Sequence, residues 1–223
     1  MALPVFLEAT PLGLQALSAA DFDALQRGAE IIEADHKGIR VLSLADGSFL
    51  KMVRRKGFPS SAWLRPYAMR FALNARRLAA LGIICPQVLA CYRSPALGDD
   101  IIHYQPVPGR TLRAELERAP QAELLAKAGA FIARLHEAGI FFRALHLGNI
   151  VVLPDGALAL IDIADVRFAR CSLPLRARRK NIANTLRYAE DRQWLLDSPL
   201  SEAFWQGYAA VNNELRREFF LGA

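Results

Sequence analysis

Between Asp46 and Asp99 the sequence has no acidic residue at all, yet the same stretch carries Lys51, Arg54, Arg55, Lys56, Arg65, Arg70, Arg76, Arg77 and Arg93. An ordinary solvated helix face intersperses both signs of charge, and this one does not. Long apolar runs are also missing: no window approaches the roughly 18 uninterrupted apolar residues that a membrane span requires. Cysteine is scarce. Cys85, Cys91 and Cys171 have neither CxxC spacing nor a histidine nearby, which argues against a zinc site and suits a reducing compartment. The N-terminal MALPVFLEATPLG lacks a basic leader and meets Glu8 early, so no export signal is expected. Repeats, low-complexity tracts and long linkers are absent too. These absences predict a cytoplasmic protein without a transmembrane segment.

What is present is a chain of 223 residues with 53% apolar and 22% charged side chains, long enough for one large domain or two small lobes sharing a cleft. Its net charge of +6 is unevenly spread, with a second basic run, RFARCSLPLRARRK, over residues 167–180. Such clusters favour phosphate-bearing partners: nucleotides, phospholipid surfaces, anionic glycolipids or nucleic acid. No helix-turn-helix, zinc or aromatic-interleaved pattern accompanies them, so nucleic acid is not expected as a partner.

The first half reads as a small antiparallel sheet with a helix on it. SAADFDALQRG opens with a serine cap and ends at Gly28, predicting a short helix. AEIIEADHKGIRVLSLADGSFLKMVRR reads as three strands, with Asp46-Gly47 as a hairpin turn. Residues 60–82 are expected to be helical, divided near Pro66, and CPQVLACYRS and DDIIHYQPV are two more strands. After a connector near residues 104–110, the second half is mainly helical. QAELLAKAGAFIARLHEAG carries an apolar stripe, IVVLP and LALIDI flank a second Asp-Gly turn at Asp155-Gly156, and NIANTLRYAEDRQWLL and SEAFWQGYAAVNNELRREFF read as helices. Trp63, Trp194 and Trp205 are expected in the core, and His103 has no assigned task.

Phosphoryl transfer asks for a lysine on a strand to steady phosphates, for an asparagine and an aspartate to hold magnesium, and for an acid to orient the attacking hydroxyl. The chain offers Lys51 in SFLKMV, Asn149 at the end of ALHLGN and Asp162 at the end of LALIDI, in that order. At these residues it resembles the protein-kinase-like superfamily. LHEAGIFFRALHLGN is similar to the small-kinase pattern LHxxGIxHxDLHxGN through Leu135, His136, Gly139, Ile140, Leu145, His146, Gly148 and Asn149. FLKMVRRK, LAALGIICPQVL and YQPVPGRTL extend the likeness, over about residues 30–190, to the small bacterial lipopolysaccharide core kinases and toluene-tolerance proteins.

The resemblance implies an α+β fold: a single two-lobed kinase-like domain, with a β-rich lobe over 1–105 and an α-rich lobe over 106–223. It also implies ATP and Mg as cofactors, with Lys51 on the nucleotide and Asn149 and Asp162 on the metal. The implied reaction is transfer to a sugar of a cell-envelope glycolipid at the cytoplasmic side, and the basic segments would hold an anionic glycolipid or the inner-membrane surface.

The departures from the pattern are specific. Phe142 and Ala144 stand where it has His and Asp, so the loop acid is gone. No GxGxxG precedes Lys51, and the metal motif reads Asp162-Ile163-Ala164 without its glycine. The lysine has no glutamate on the following helix, where Asn74 offers a neutral partner. His146 and Asp165 are the candidates for the missing base; otherwise His146 is expected to brace its loop by hydrogen bonding, and His136 to bond to the loop that follows it. The alternative function is a pseudokinase that binds nucleotide or a partner without transfer.

Overall fold

The computed structural model describes residues 13–36, 38–54 and 66–221. The chain forms two compact units, Met1–Pro106 and Val107–Ala223.

In the first unit a six-stranded sheet runs in the order β1-β5-β6-β4-β3-β2. Its strands are β1 (Gln15–Ala16), β2 (Glu30–Asp35), β3 (Gly38–Ser43), β4 (Phe49–Arg54), β5 (Gln87–Ser94) and β6 (Asp99–Gln105). All pairings are antiparallel except that of β1 with β5, a two-residue addition that pattern reading missed. Helix α1 (Ala19–Leu25) is capped by Ser18, whose Oγ accepts from the Asp21 amide at 3.1 Å. Its Phe22 packs with Leu17, Leu42, Leu44, Leu50, Met52 and Ile101 on one face of the sheet.

Helix α2 (Tyr67–Ala80) begins after Pro66 and buries Phe71, Ala75 and Leu78, packing on β5 and β6. The expected helical piece before Pro66, with Trp63, lies outside the described residues. Strand alternation then decides where Lys51 goes. Leu50 and Met52 face the α1 cluster, so Lys51, between Val41 and Ile102, lies on the opposite face of the sheet.

Both Asp-Gly hairpins form, through a turn one residue longer than a two-residue loop. Gly47 N donates to Leu44 O at 3.0 Å and Leu44 N to Ser48 O at 2.8 Å; Gly156 and Leu153 repeat the pattern, each at 2.9 Å. Only the glycines take positive φ, +80° and +79°. Each is therefore a type I turn closed by a glycine bulge. The aspartates favour it: Asp46 accepts from Ser48 N, and Asp155 from Ala157 N, at 2.9 Å.

The second unit holds β7 (Arg110–Thr111), α3 (Leu112–Arg118), α4 (Ala122–Glu137), β8 (Ile140–Phe142), β9 (Ile150–Val152), β10 (Leu158–Leu160), β11 (Val166–Phe168), α5 (Leu175–Thr185), α6 (Ala189–Arg192) and α7 (Ser201–Ala209). Strands β10-β9-β7 form one small sheet and β11-β8 a two-stranded ladder. The main helical contact is α4 on α7, which meet at glycines. A Cβ on Gly129 would strike the Phe204 carbonyl and come within 2.8 Å of Tyr208 N, and one on Gly207 would strike the Ala126 carbonyl.

The C-terminal stretch differs from expectation. Helix α7 stops at Ala209, and only a 3₁₀ turn, Arg217–Phe220, follows. Asn212 intervenes, its Oδ1 accepting from Glu214 N at 3.0 Å and its Nδ2 donating to Glu137 at 2.8 Å, which diverts backbone from a helix. Trp205 is buried, its Nε1 donating to Leu195 O at 2.8 Å; Trp194 is only half-buried, not core as expected.

Candidate active site

The loop from Arg143 to Asn149 joins β8 to β9. It folds on itself: Leu145 N donates to Phe142 O at 3.0 Å and Asn149 N to His146 O at 2.9 Å. Asn149 Nδ2 donates to the carbonyl of Ala144 at 2.9 Å. That bond fixes the amide so that Oδ1 is left as its acceptor end. Across the β9–β10 hairpin Ile161 N donates to Asn149 O at 3.0 Å, which brings Asn149 beside the residue preceding Asp162. Asp162 itself sits at φ +53°, ψ +38°, the single non-glycine at positive φ among the described residues. Asp tolerates the left-handed region better than most residues, but at a cost of about 1 kcal/mol or more, and such outliers gather at functional sites.

Several side chains hold this loop from behind, and pattern reading identified none of them. Asp191, fully buried on α6, accepts from Leu147 N at 2.7 Å and from Arg113 at 2.8 Å. On α5, Asn181 clasps Phe142, accepting from its N at 3.3 Å and donating to its O at 2.6 Å, while Thr185 donates to Leu145 O at 3.0 Å and Asn184 to Arg143 O at 3.4 Å. The available signal was the pair Asn181 and Thr185, four apart on one side of a basic helix whose buried face also holds Arg178 and Ile182. Nothing in the order of residues marked Asp191 as different from the acids beside it.

His136 is buried and bonds to side chains instead of directly to the loop. Its Nδ1 lies 2.7 Å from Tyr208 Oη and its Nε2 3.1 Å from Asn181 Oδ1. Because Asn181 Oδ1 is an acceptor, Nε2 carries the proton and Nδ1 accepts from Tyr208. Burial pushes the imidazole down to about 4, so it is neutral at pH 7.

His146 also departs from expectation. It makes no bracing hydrogen bond through Nδ1, which is buried without a partner; its ring instead packs on Tyr188, centroids 4.7 Å apart, and Arg113 lies over the same tyrosine. Gly148 makes room for that ring, since a Cβ there would lie 2.9 Å from Nδ1. Burial holds His146 below its ordinary pKa. Asp165 is half-buried in the 3₁₀ turn after Asp162, and its carbonyl accepts from Arg143 N at 3.4 Å. Lys51 belongs to the first unit, where it is half-buried, and Asn74 is buried on α2.

The second unit therefore brings Asn149, Asp162, Ala144 and the backbone of Asp165 into one neighbourhood. A carboxamide oxygen and a carboxylate are hard donors that suit Mg, which keeps several waters and takes substrate phosphates as further ligands. The described residues hold no group of three or more His, Cys, Asp or Glu able to cage a metal, and a shared site of that kind does not need one.

Among solved structures, the chain is similar to a divergent kinase lacking the glycine-rich loop, which regulates membrane ultrastructure of the Toxoplasma parasitophorous vacuole. Identity is 18% and the TM-score 0.45, over 75% of this chain and 62% of that one, so this chain spans less than two thirds of that kinase. No curated protein matches the sequence. The phosphotransferase enzyme family matches over residues 40–217, a span that takes in Lys51, the Asn149 loop, Asp162 and the helices behind them. The mixed α+β architecture, with its N-terminal antiparallel sheet and helical C-terminal part, is similar to a kinase fold, and the chain belongs to the phosphotransferase enzyme family.

Proposed function

We propose that the protein transfers phosphoryl groups from ATP to a sugar hydroxyl of an anionic envelope glycolipid precursor, of the lipopolysaccharide core type, at the cytoplasmic face of the membrane. Lys51 steadies nucleotide phosphates, while Asn149 Oδ1 and the Asp162 carboxylate hold Mg. When bound, the metal neutralises charge on the phosphates. The observation that carries this reading is the fixed pair formed by Asn149, its amide committed to Ala144 O, and a left-handed Asp162 one residue beyond its backbone partner.

Ala144 offers no group to take the acceptor's proton. Phosphoryl transfer depends mainly on positioning and charge stabilisation, and a general base adds typically about 10²–10⁴-fold, so its loss slows the reaction without ending it. His146, whose pKa burial lowers, and Asp165 are the two candidates for that role. The competing reading, a nucleotide-binding pseudokinase, rests on Ala144.

Thermal melts with Mg-ATP test the binding. The parent protein's melting temperature should rise, and Lys51→Met and Asp162→Asn should each abolish the rise. Asn is chosen because it keeps the left-handed backbone while removing the charge. No rise in the parent overturns both readings. Labelled ATP with a panel of lipopolysaccharide core acceptors then separates them: transfer supports the kinase, and binding without transfer to any acceptor supports the pseudokinase.

A further inference from the structure

Helix α2 has two unlike faces. One buries Ala68, Phe71, Ala72, Asn74, Ala75 and Leu78 toward the sheet. The other should be the polar half of an amphipathic helix. Instead Leu73, 42% exposed, lies at its middle, with Met69 one turn before and exposed Ala80 two turns after on the same line. Exposed Arg76 and Arg77 flank that line on either side. Beyond the helix end, Leu81 and Ile84, 49% and 44% exposed, extend the apolar surface. Apart from arginines the polar side chains of α2 are Tyr67 and the buried Asn74, so neither an acid nor an amide breaks the exposed face.

Single exposed leucines are common on protein surfaces and require no account. An exposed line of apolar side chains rimmed on both sides by cations is a different object, because it matches two layers at once. The headgroup boundary of a bilayer accepts aliphatic side chains about 5–10 Å deep, and lipid phosphates lie at the height of the flanking guanidinium groups. We propose that this face of α2 docks the protein on an anionic phospholipid bilayer, with Leu73, Leu81 and Ile84 entering the headgroup boundary and Arg76 and Arg77 meeting lipid phosphates. The docking goes beyond the transfer reaction and is measured without nucleotide or acceptor, so either can fail alone. No described helix is long and apolar enough to cross a membrane, and lying on it is the mode this surface fits.

Vesicle co-sedimentation of the full chain tests the proposal. The protein binds phosphatidylcholine vesicles containing phosphatidylglycerol and leaves pure phosphatidylcholine vesicles unbound. Changing Arg76→Gln and Arg77→Gln together lowers the affinity about thirtyfold, and Leu73→Ser with Leu81→Ser lowers it while leaving the melting temperature unchanged. In a Cys171→Ser background, which removes the exposed native thiol, an environment-sensitive fluorophore on Leu73→Cys shifts to the blue on binding. Three results overturn the proposal: no binding to the anionic vesicles, as expected if an acidic protein covers this face; full binding by the arginine variant; or a bound protein whose probe at position 73 still reports water.

Discussion

The backbone amide of Leu147 donates to the carboxylate of Asp191 at 2.7 Å, although 44 residues separate them in the chain. The same carboxylate receives Arg113, so one buried acid joins the start of the second unit, the loop before Asn149 and helix α6.

Removing that carboxylate leaves a loop amide and a guanidinium without their acceptor. Asp191→Ala should destabilise the protein by about 3 kcal/mol, and Asp191→Asn, which keeps an acceptor oxygen, by less. Urea unfolding of the two variants measures this. Equal stability of parent and Asp191→Ala would mean that the loop is held by α5 alone.

The α4–α7 crossing makes a second demand. Gly129→Ala and Gly207→Ala each put a methyl into the partner helix's backbone, which cannot swing aside as a side chain can. Each should cost about 1–3 kcal/mol, and the double variant less than their sum, because helices parted by one methyl have already made room for the other. Additive losses would contradict a shared crossing point.

Pattern reading fared unevenly for identifiable reasons. The strands of the first sheet, both Asp-Gly turns and the stripe of α4 were legible because hydrophobic period and turn chemistry are local. The parallel β1 and the β8–β11 ladder were not: two- and three-residue strands carry no period, and their partners lie far along the chain. Helix α7 was drawn too long because Asn212 competes through its side chain, which apolar spacing does not register. Of the candidate residues, Lys51 in the first unit and Asn149 and Asp162 in the second stood out by order and type. Asp191 and Asn181 did not, since a buried polar anchor is defined by what folds over it.

Stability should also depend on pH through His136. Burial pushes the folded imidazole down to about 4, whereas unfolded histidine titrates near its ordinary value, about 6.5. Between those values the unfolded chain binds the extra proton, so stability falls as pH drops from about 6.5 to 4, by on the order of 3 kcal/mol, and this contribution is flat outside the window. Denaturant unfolding at pH 7 and pH 5 checks the slope, which His136→Gln should flatten. A slope unchanged in that variant would assign the effect to other groups.

Restoring the loop acid offers a gain-of-function test. The Ala144 carbonyl already holds Asn149, so Ala144→Asp adds a carboxylate without rebuilding the loop. Where an acceptor is phosphorylated, the substitution should raise the rate by about 10²-fold or more. An unchanged rate would show that another group already removes the proton.

Asp162 leaves one more consequence. Its left-handed backbone costs every folded molecule some stability. Glycine or asparagine would relax that conformation, and each lies a single nucleotide change from an aspartate codon. Aspartate at this position therefore keeps a carboxylate at the expense of backbone ease, an exchange that asparagine or glycine would reverse.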